Sequence, residues 1–307
     1  MQTTPDRLSV VIVSHNSARW LADCLSSVHA KSGALDIEIV VVDSGSTDDT
    51  VEFLRREFPY VRVIETENRG FAFANNRGLE VVDGEWVLFL NPDTSILSGS
   101  LEELVSLLRE RPRVGLAGVK QIDEDGVMDP TMRRFPSVIR MFCESLGAER
   151  LPFHASWTGQ RVLDLELYDH ERPCDWTVGS FMLARRKAVD EVGAMDERFF
   201  LYCEETDLCL RLRQAGWMTV HFPQMTIFHQ SSRTGSEALG RQMAFARRQY
   251  MQKHFGRVRR RLGALATGLG YLLRSVEPGR APERTRRRAH ARTELLTLLG
   301  LTPPPFG

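Results

Sequence analysis

The sequence of 307 residues has no charge excess, since 40 Lys and Arg balance 40 Asp and Glu. Bulk charge therefore names no nucleic-acid or acidic partner. Cysteine is scarce. The five residues Cys24, Cys143, Cys174, Cys203 and Cys209 are scattered without a C-x-x-C pair, which argues for reduced thiols in a cytosolic protein and against a disulfide framework. Long apolar runs are missing too. Residues 8–13 form the longest apolar strand and are far too short to cross a bilayer. No apolar signal region opens the sequence, so the protein is expected to be made and kept in the cytosol. No G-x-G-x-x-G follows the first strand, which excludes a dinucleotide dehydrogenase. No nucleophile elbow, Ser-His-Asp order or internal repeat is present.

What is present is the composition of a soluble globular protein, 42% hydrophobic and 26% charged. The length suits one large α/β domain with appended pieces, or two small domains. Charge is unevenly spread. Residues 250–292 hold twelve Lys and Arg against two Asp and Glu, so the remainder is acidic. That asymmetry marks a basic tail suited to an anionic surface.

The β-branched run at residues 8–13 reads as a buried strand stopping at Ser14-His15-Asn16. A helix is expected over 18–30, with Leu21, Leu25 and Val28 on one face. A second buried strand over 37–42 ends at Asp43, and Ser46 or Thr47 is expected to cap a helix beginning near Asp49. Further strands are expected at 61–64 and 86–90, with a helix over 71–82 between them. This alternation predicts parallel strands, right-handed crossovers and helices on both faces. Ligands of such sheets lie beyond the carboxyl ends of the strands, where Asn16, Asp43 and Asp93 fall.

Later elements are expected as strands at 115–119 and 176–184, a short helix at 186–192, and a helix over 207–215 closed by Gly216. Short strands at 218–222 and 226–228 and a long helix from Ser236 to about His254 complete the pattern. Residues 130–174 read as an irregular insertion or active-site flap. The expected division is a catalytic domain over 1–255 and a helical or partly disordered basic tail over 256–307.

Several groups can carry chemistry. Asp93 in Asn91-Pro92-Asp93 can reach a divalent cation held on a diphosphate, because Mg²⁺ or Mn²⁺ takes one or two protein carboxylates plus phosphates. The same tripeptide is also common turn chemistry. Glu204-Glu205-Thr206-Asp207 follows an aromatic run. A carboxylate among carboxylates in a cleft can serve as a general base, and an acidic first turn also suits a helix dipole. His229 ends a short strand as either a metal ligand or a structural imidazole. Asp43 can accept a hydrogen bond from a pyrimidine or open an Asx-turn. In residues 67–78, Arg69, Gly70, Asn75 and Arg77 offer a phosphate-binding turn or a solvated helix start.

Taken in order, VSHN, VVVDSGSTDDT, ENRGFAFANNRG, LFLNPDT, VGSFMLARR, FFLYCEETDLCLRLRQAGW and FHQSS resemble family 2 glycosyltransferases, in particular the bacterial rhamnosyltransferase-like branch. The resemblance spans about residues 8–235. It implies an α/β GT-A fold with a mostly parallel twisted sheet, and an inverting transfer from a nucleotide diphosphate sugar. By resemblance, Asp43 contacts the nucleobase with Ser14 and Asn16 nearby, and Asn91 and Asp93 occupy the D-x-D position. Asp93 and His229 hold Mg²⁺ or Mn²⁺. Glu205 is the base and Asp207 positions the acceptor. Trp176, Gly179 and Glu204 border the sugar or acceptor pocket. This sequence departs from the family in two places. Asn91 removes one acid from the metal site, and Glu205 replaces the usual aspartate.

The resemblance makes rhamnose from dTDP-rhamnose the first donor, ahead of UDP- and GDP-sugars. It makes a glycan or polyprenyl-linked molecule the acceptor, in cell-wall or surface polysaccharide synthesis. A sugar nucleotidyltransferase would want a Gly-rich basic loop after the first strand, where this sequence has Ser-His-Asn-Ser. A non-catalytic sugar-nucleotide-binding or scaffold protein is the remaining alternative. The tail, with Arg259-Arg260-Arg261 and the leucines after it, suits either an anionic inner leaflet or a solvated helix or oligomer contact. It lacks interleaved aromatics, which argues against nucleic acid.

Overall fold

The computed structural model describes residues 6–147, 158–230, 237–275, 288, 291–292, 295–297 and 300–301. It separates into two compact units. The first comprises residues 1–133, 164–197 and 204–231, and the second residues 134–163, 198–203 and 232–307.

The first unit is built on a nine-stranded sheet. Strands β1 (Arg7–Ser14), β2 (Asp36–Ser44), β3 (Arg62–Thr66) and β4 (Trp86–Leu90) run parallel in the order β3-β2-β1-β4. Helices α1 (Ala18–Ala30), α2 (Thr50–Glu57) and α3 (Phe71–Leu79) make the crossovers. Beyond β4 the order continues through β10 (Phe181–Arg185), β6 (Val114–Ile122), β11 (Met218–His229) and β5 (Thr94–Ser98). Strand β10 is antiparallel to both β4 and β6, and β11 is parallel to β6. Two reversals restore direction, so β1, β2, β4, β6 and β11 all end at one rim.

Both faces of the parallel half are covered, which is why its strands are continuously apolar. One face holds Leu8, Val10, Ile12, Val41 and Leu88. They form one core with Leu21, Leu25 and Val28 of α1 and with Leu101, Leu104 and Leu108 of α4 (Leu101–Arg109). On the other face α3 approaches through Gly78, where a side chain would collide with Val11 and crowd Val42.

Several local expectations are corrected. Neither Ser46 nor Thr47 caps α2. Asp49 occupies the cap position, and the Asp48 carboxylate accepts from the Thr50 N–H at 3.1 Å. Residues 176–184 are not one strand, because the chain leaves β9 (Trp176–Thr177) at Val178-Gly179-Ser180 before re-entering as β10. The two short strands expected at 218–222 and 226–228 are one strand, β11, whose register shifts between Phe222 and Thr226. Pro223 lies in that shift and has no N–H for the ladder. Helix α7 (Glu204–Gln214) begins earlier than expected and is followed by Gly216 at φ 91°.

Residues 130–174 contain more regular structure than expected. Strand β7 (Met132–Arg133) pairs with β9, β8 (Arg172–Cys174) pairs with β11, and α5 spans Val138–Leu146. Ser137 caps α5 by accepting from the Arg140 N–H, and Gly147 closes it in the left-handed conformation. In the second unit α5 packs with α8 (Glu237–His254) and α9 (Arg257–Ser275). Arg247 donates to Glu144 at 2.9 Å, and Gln242 donates to the Leu201 carbonyl at 3.0 Å. The expected start of the long helix at Ser236, the Ser231-Ser232 end of the FHQSS motif, and Arg286 and Arg287 lie outside the described residues. All five cysteines are free thiols.

Candidate active site at the carboxyl rim

The rim gathers residues from five strand ends. Ser14 and Asp43 are register partners at the ends of β1 and β2, and both are buried. The Asp43 carboxylate accepts from the Ser46 N–H at 2.9 Å and from the Ser46 hydroxyl. That is the Asx-turn expected of an aspartate at a strand end. Ser14 Oγ is buried and has no hydrogen-bond partner among the described residues, so a polar group remains to be satisfied beside Asp43. Asn16 holds a left-handed backbone, φ 52°. Its Oδ1 accepts from the Thr47 N–H at 2.8 Å and the Asp48 N–H at 3.3 Å, tying the loop after β1 to the loop after β2.

Gly70 stands before α3 at φ 99°, a conformation that favours glycine. Arg69 is exposed, with its guanidinium 4.3 Å from the Phe73 ring centre. Arg77 is engaged by Glu80 and Glu197. Asn75 is buried. It donates to the Phe71 carbonyl at 3.0 Å, and its Oδ1 is unpartnered among the described residues.

At the end of β4 the Asn91 N–H donates to the Ser180 carbonyl at 3.0 Å, and the Gln230 N–H donates to the Asp93 carbonyl at 3.1 Å. These bonds seat Asn91-Pro92-Asp93 between the start of β10 and the end of β11. His229 Nε2 then lies 3.3 Å from Asp93 Oδ1 and 3.2 Å from Asn91 Nδ2. On the other side of the ring, Gln121 Nε2 is 3.3 Å from Nδ1. Gln121 is buried near the end of β6. It donates to Asp129 at 3.0 Å and accepts from the Ser180 hydroxyl at 2.6 Å. Asp129 and Ser180 thus hold the Gln121 amide against Nδ1 of the imidazole.

A divalent cation fits the Asp93–His229 pair. Ligand atoms each about 2.1 Å from a cation at right angles stand about 3 Å apart. Both side chains are partly exposed. No group of three or more His, Cys, Asp or Glu gathers among the described residues. Such a pair is a partial coordination sphere that a diphosphate and water would complete.

The acidic segment opens helix α7. Helix α7 ends at Gln214, turns through Gly216 and leads into the start of β11, against which it packs. The helix packs against β9 as well as β11. Tyr202 and Cys203 immediately precede it at φ 71° and 69°, rare values for non-glycine residues. Glu204 is buried. Burial, and then the neighbouring Glu205 charge, push its carboxyl well above the usual range. Glu205 is half-buried. The Asp207 carboxylate is fully buried and accepts from Arg211 at 2.8 Å. Arg211 in turn clasps the Val192, Gly193 and Ala194 carbonyls, so Asp207 anchors a structural knot.

Trp176 lies under the Arg133 guanidinium at 5.9 Å. A side chain at Gly179 would touch only the edge of Phe71, so this turn leaves open space at the rim. The sequence reading did not single out Gln121, Asp129 or Ser180. The available signal was an amide beside Lys120 at the end of an apolar strand.

Known proteins resemble this chain in sequence and in fold. The family model described as glycosyl transferase family 2 matches residues 9–193. The N-acetylglucosaminyl-diphospho-decaprenol L-rhamnosyltransferase of Mycobacterium tuberculosis is 34% identical over 237 residues, covering 73% of this chain and 76% of that protein. Solved structures share the fold at low identity. GalNAc-T7 with UDP, GalNAc and Mn²⁺ aligns with TM-score 0.62 and 15% identity, over 94% of this chain and 55% of that one. The mannosyltransferase PcManGT of Pyrobaculum calidifontis, in complex with GDP-Man and Mn²⁺, aligns with TM-score 0.56 and 16% identity, over 97% and 89%.

Proposed function

Because the chain belongs to glycosyl transferase family 2, we propose that it is a metal-dependent, inverting glycosyltransferase. It takes rhamnose from dTDP-rhamnose to a hydroxyl of a polyprenyl-linked glycan in cell-wall synthesis. The 3.3 Å approach of Asp93 and His229 at the rim carries this reading. Donor and acceptor follow the similarity to the mycobacterial rhamnosyltransferase.

The donor nucleobase would lie over the ends of β1 and β2, where the unsatisfied Ser14 hydroxyl sits beside Asp43. Arg69 is the exposed cation available to the diphosphate. Asp93 and His229 would hold a divalent cation, which when bound offsets charge on the departing nucleoside diphosphate. Glu205 takes the proton from the acceptor hydroxyl. That oxygen attacks the anomeric carbon from the face opposite the leaving group, and the carbon–oxygen bond to the diphosphate breaks. Burial and the Glu205 charge both favour the neutral form of Glu204. Asp207 acts at a distance, by fixing α7 through Arg211.

A thermal-shift screen of dTDP-rhamnose, UDP-sugars and GDP-sugars, with and without Mn²⁺, tests the donor. A ligand that binds only the folded state raises the transition. The largest metal-dependent shift is expected with dTDP-rhamnose. Absence of any metal-dependent shift across the panel would refute the donor site. Hydrolysis of the bound donor by the purified protein separates an enzyme from a sugar-nucleotide-binding scaffold.

A further inference from the structure

Helix α9 shows two opposed faces. On one, Gly263, Thr267 and Gly270 are buried. A side chain at Gly270 would collide with Ser145 and the Phe142 carbonyl of α5, and one at Gly263 would crowd the Met251 sulfur of α8. The helix is seated in its unit through these small residues. On the other face Val258, Leu262, Leu265, Leu269, Leu272 and Leu273 are 46% to 71% exposed. At 3.6 residues per turn these six side chains fall within an arc of about 100°, opposite the buried face. A continuous apolar stripe along a 19-residue helix is more than isolated exposed leucines explain.

The charges on α9 are of one sign, with five arginines and no Asp or Glu. Arg257 and Arg261 flank the stripe on one side and Arg259 on the other, and all three are exposed. Arg259 rests 4.6 Å from the Phe255 ring centre. No helix among the described residues is long and apolar enough to cross a membrane.

We propose that α9 docks the protein in the plane of an anionic phospholipid surface, with the leucine stripe at the acyl boundary and the flanking arginines on headgroup phosphates. A second copy of the chain fits this face less well. Pairing two stripes would bring the arginine flanks together, with no acidic residue on the helix to answer them. The inference goes beyond glycosyl transfer and does not depend on it.

Sedimentation of the full-length protein with vesicles of phosphatidylcholine, alone or mixed with phosphatidylglycerol, tests this. Binding to the mixed vesicles only is expected, and it should weaken as salt is raised. The pair Leu265→Asp and Leu269→Asp should weaken binding by about tenfold or more. Replacing Arg257, Arg259 and Arg261 by Ala should weaken it on the order of a hundredfold at low salt, from about fivefold per cation. Circular dichroism should match the unaltered protein in both variants. Should the aspartates unfold α9, the arginine variant and the salt dependence decide. The proposal is overturned if the protein ignores anionic vesicles, or if the variants bind like the original. It is also overturned if the aspartates merely dissociate a dimer while vesicle binding persists. Vesicle binding needs no donor and donor hydrolysis needs no vesicles, so the two readings can fail separately.

Discussion

The imidazole Nε2 of His229 stands 3.3 Å from Oδ1 of Asp93, because two reversals of strand direction bring the end of β11 back to the rim where β4 ends. Either residue alone is an ordinary turn aspartate or strand-end histidine. Together they supply an oxygen and a nitrogen at the spacing of neighbouring ligands on one cation. Asp93→Ala and His229→Ala should each lower Mn²⁺-stimulated transfer by roughly a hundredfold or more. Calorimetry should show donor binding that no longer responds to metal. Undiminished metal dependence in both variants would remove the pair from that role.

Gln121 joins His229 Nδ1 to Asp129 and Ser180. Gln121→Leu removes these bonds with little change in volume. Apparent Mn²⁺ affinity should fall roughly 10- to 100-fold, the usual cost of losing an outer partner of a ligating histidine. Gln121→Glu should recover part of the loss. A titration of metal against donor binding reads this without any turnover.

The two glutamates at the start of α7 should separate in their phenotypes. Glu205→Gln should nearly abolish transfer while donor binding persists, measured by single-turnover transfer beside calorimetry. Glu204→Gln concerns stability. Its carboxyl is raised above the usual 4.5, so the folded state keeps a proton that the unfolded chain releases. The stability present below 4.5 is lost as pH rises through the folded value. Glu204→Gln should therefore raise the melting temperature at neutral pH by roughly a few degrees, with no gain near pH 4. An equal gain at both pH values would mean that Glu204 is not held protonated.

His221 titrates with the opposite consequence. Burial lowers its pKa to about 4, and its Nε2 faces the Tyr168 carbonyl at 3.0 Å. The unfolded chain takes up a proton near 6.5 and the folded protein resists until about 4. Stability present above 6.5 should fall as pH drops through that window. His221→Gln should flatten this part of the melting profile, and an unchanged slope would contradict the assignment.

The strands and first helices were legible because local pattern decides them. Residues 8–13, 37–42 and 86–90 are apolar runs of strand length, and they became β1, β2 and β4. The helices over 18–30 and 186–192 match their expected ends. Where pattern failed, a long-range bond or an unrecognised turn prevailed. Ser46 was spent on Asp43 rather than on a helix cap, and Val178-Gly179-Ser180 leaves the sheet to seat Asn91 and Gln121. Helix α5 was hidden in a stretch rich in proline and arginine, although Ser137 and Gly147 mark its ends.

By itself the sequence determined the family, since the order of short motifs is a one-dimensional property that survives without coordinates. It also determined the alternating element pattern, through residue periodicity. Only the tertiary structure decided that Gln121 and Asp129 stand behind His229, that Asp207 is tied to Arg211, and that Glu204 is buried deeply enough for its carboxyl to be pushed up. Only it showed which face of α9 is covered and which leucines are left outside. Hydrogen-bond partners and desolvation depend on which distant segments share a sheet edge, and strand pairing across the chain sets that.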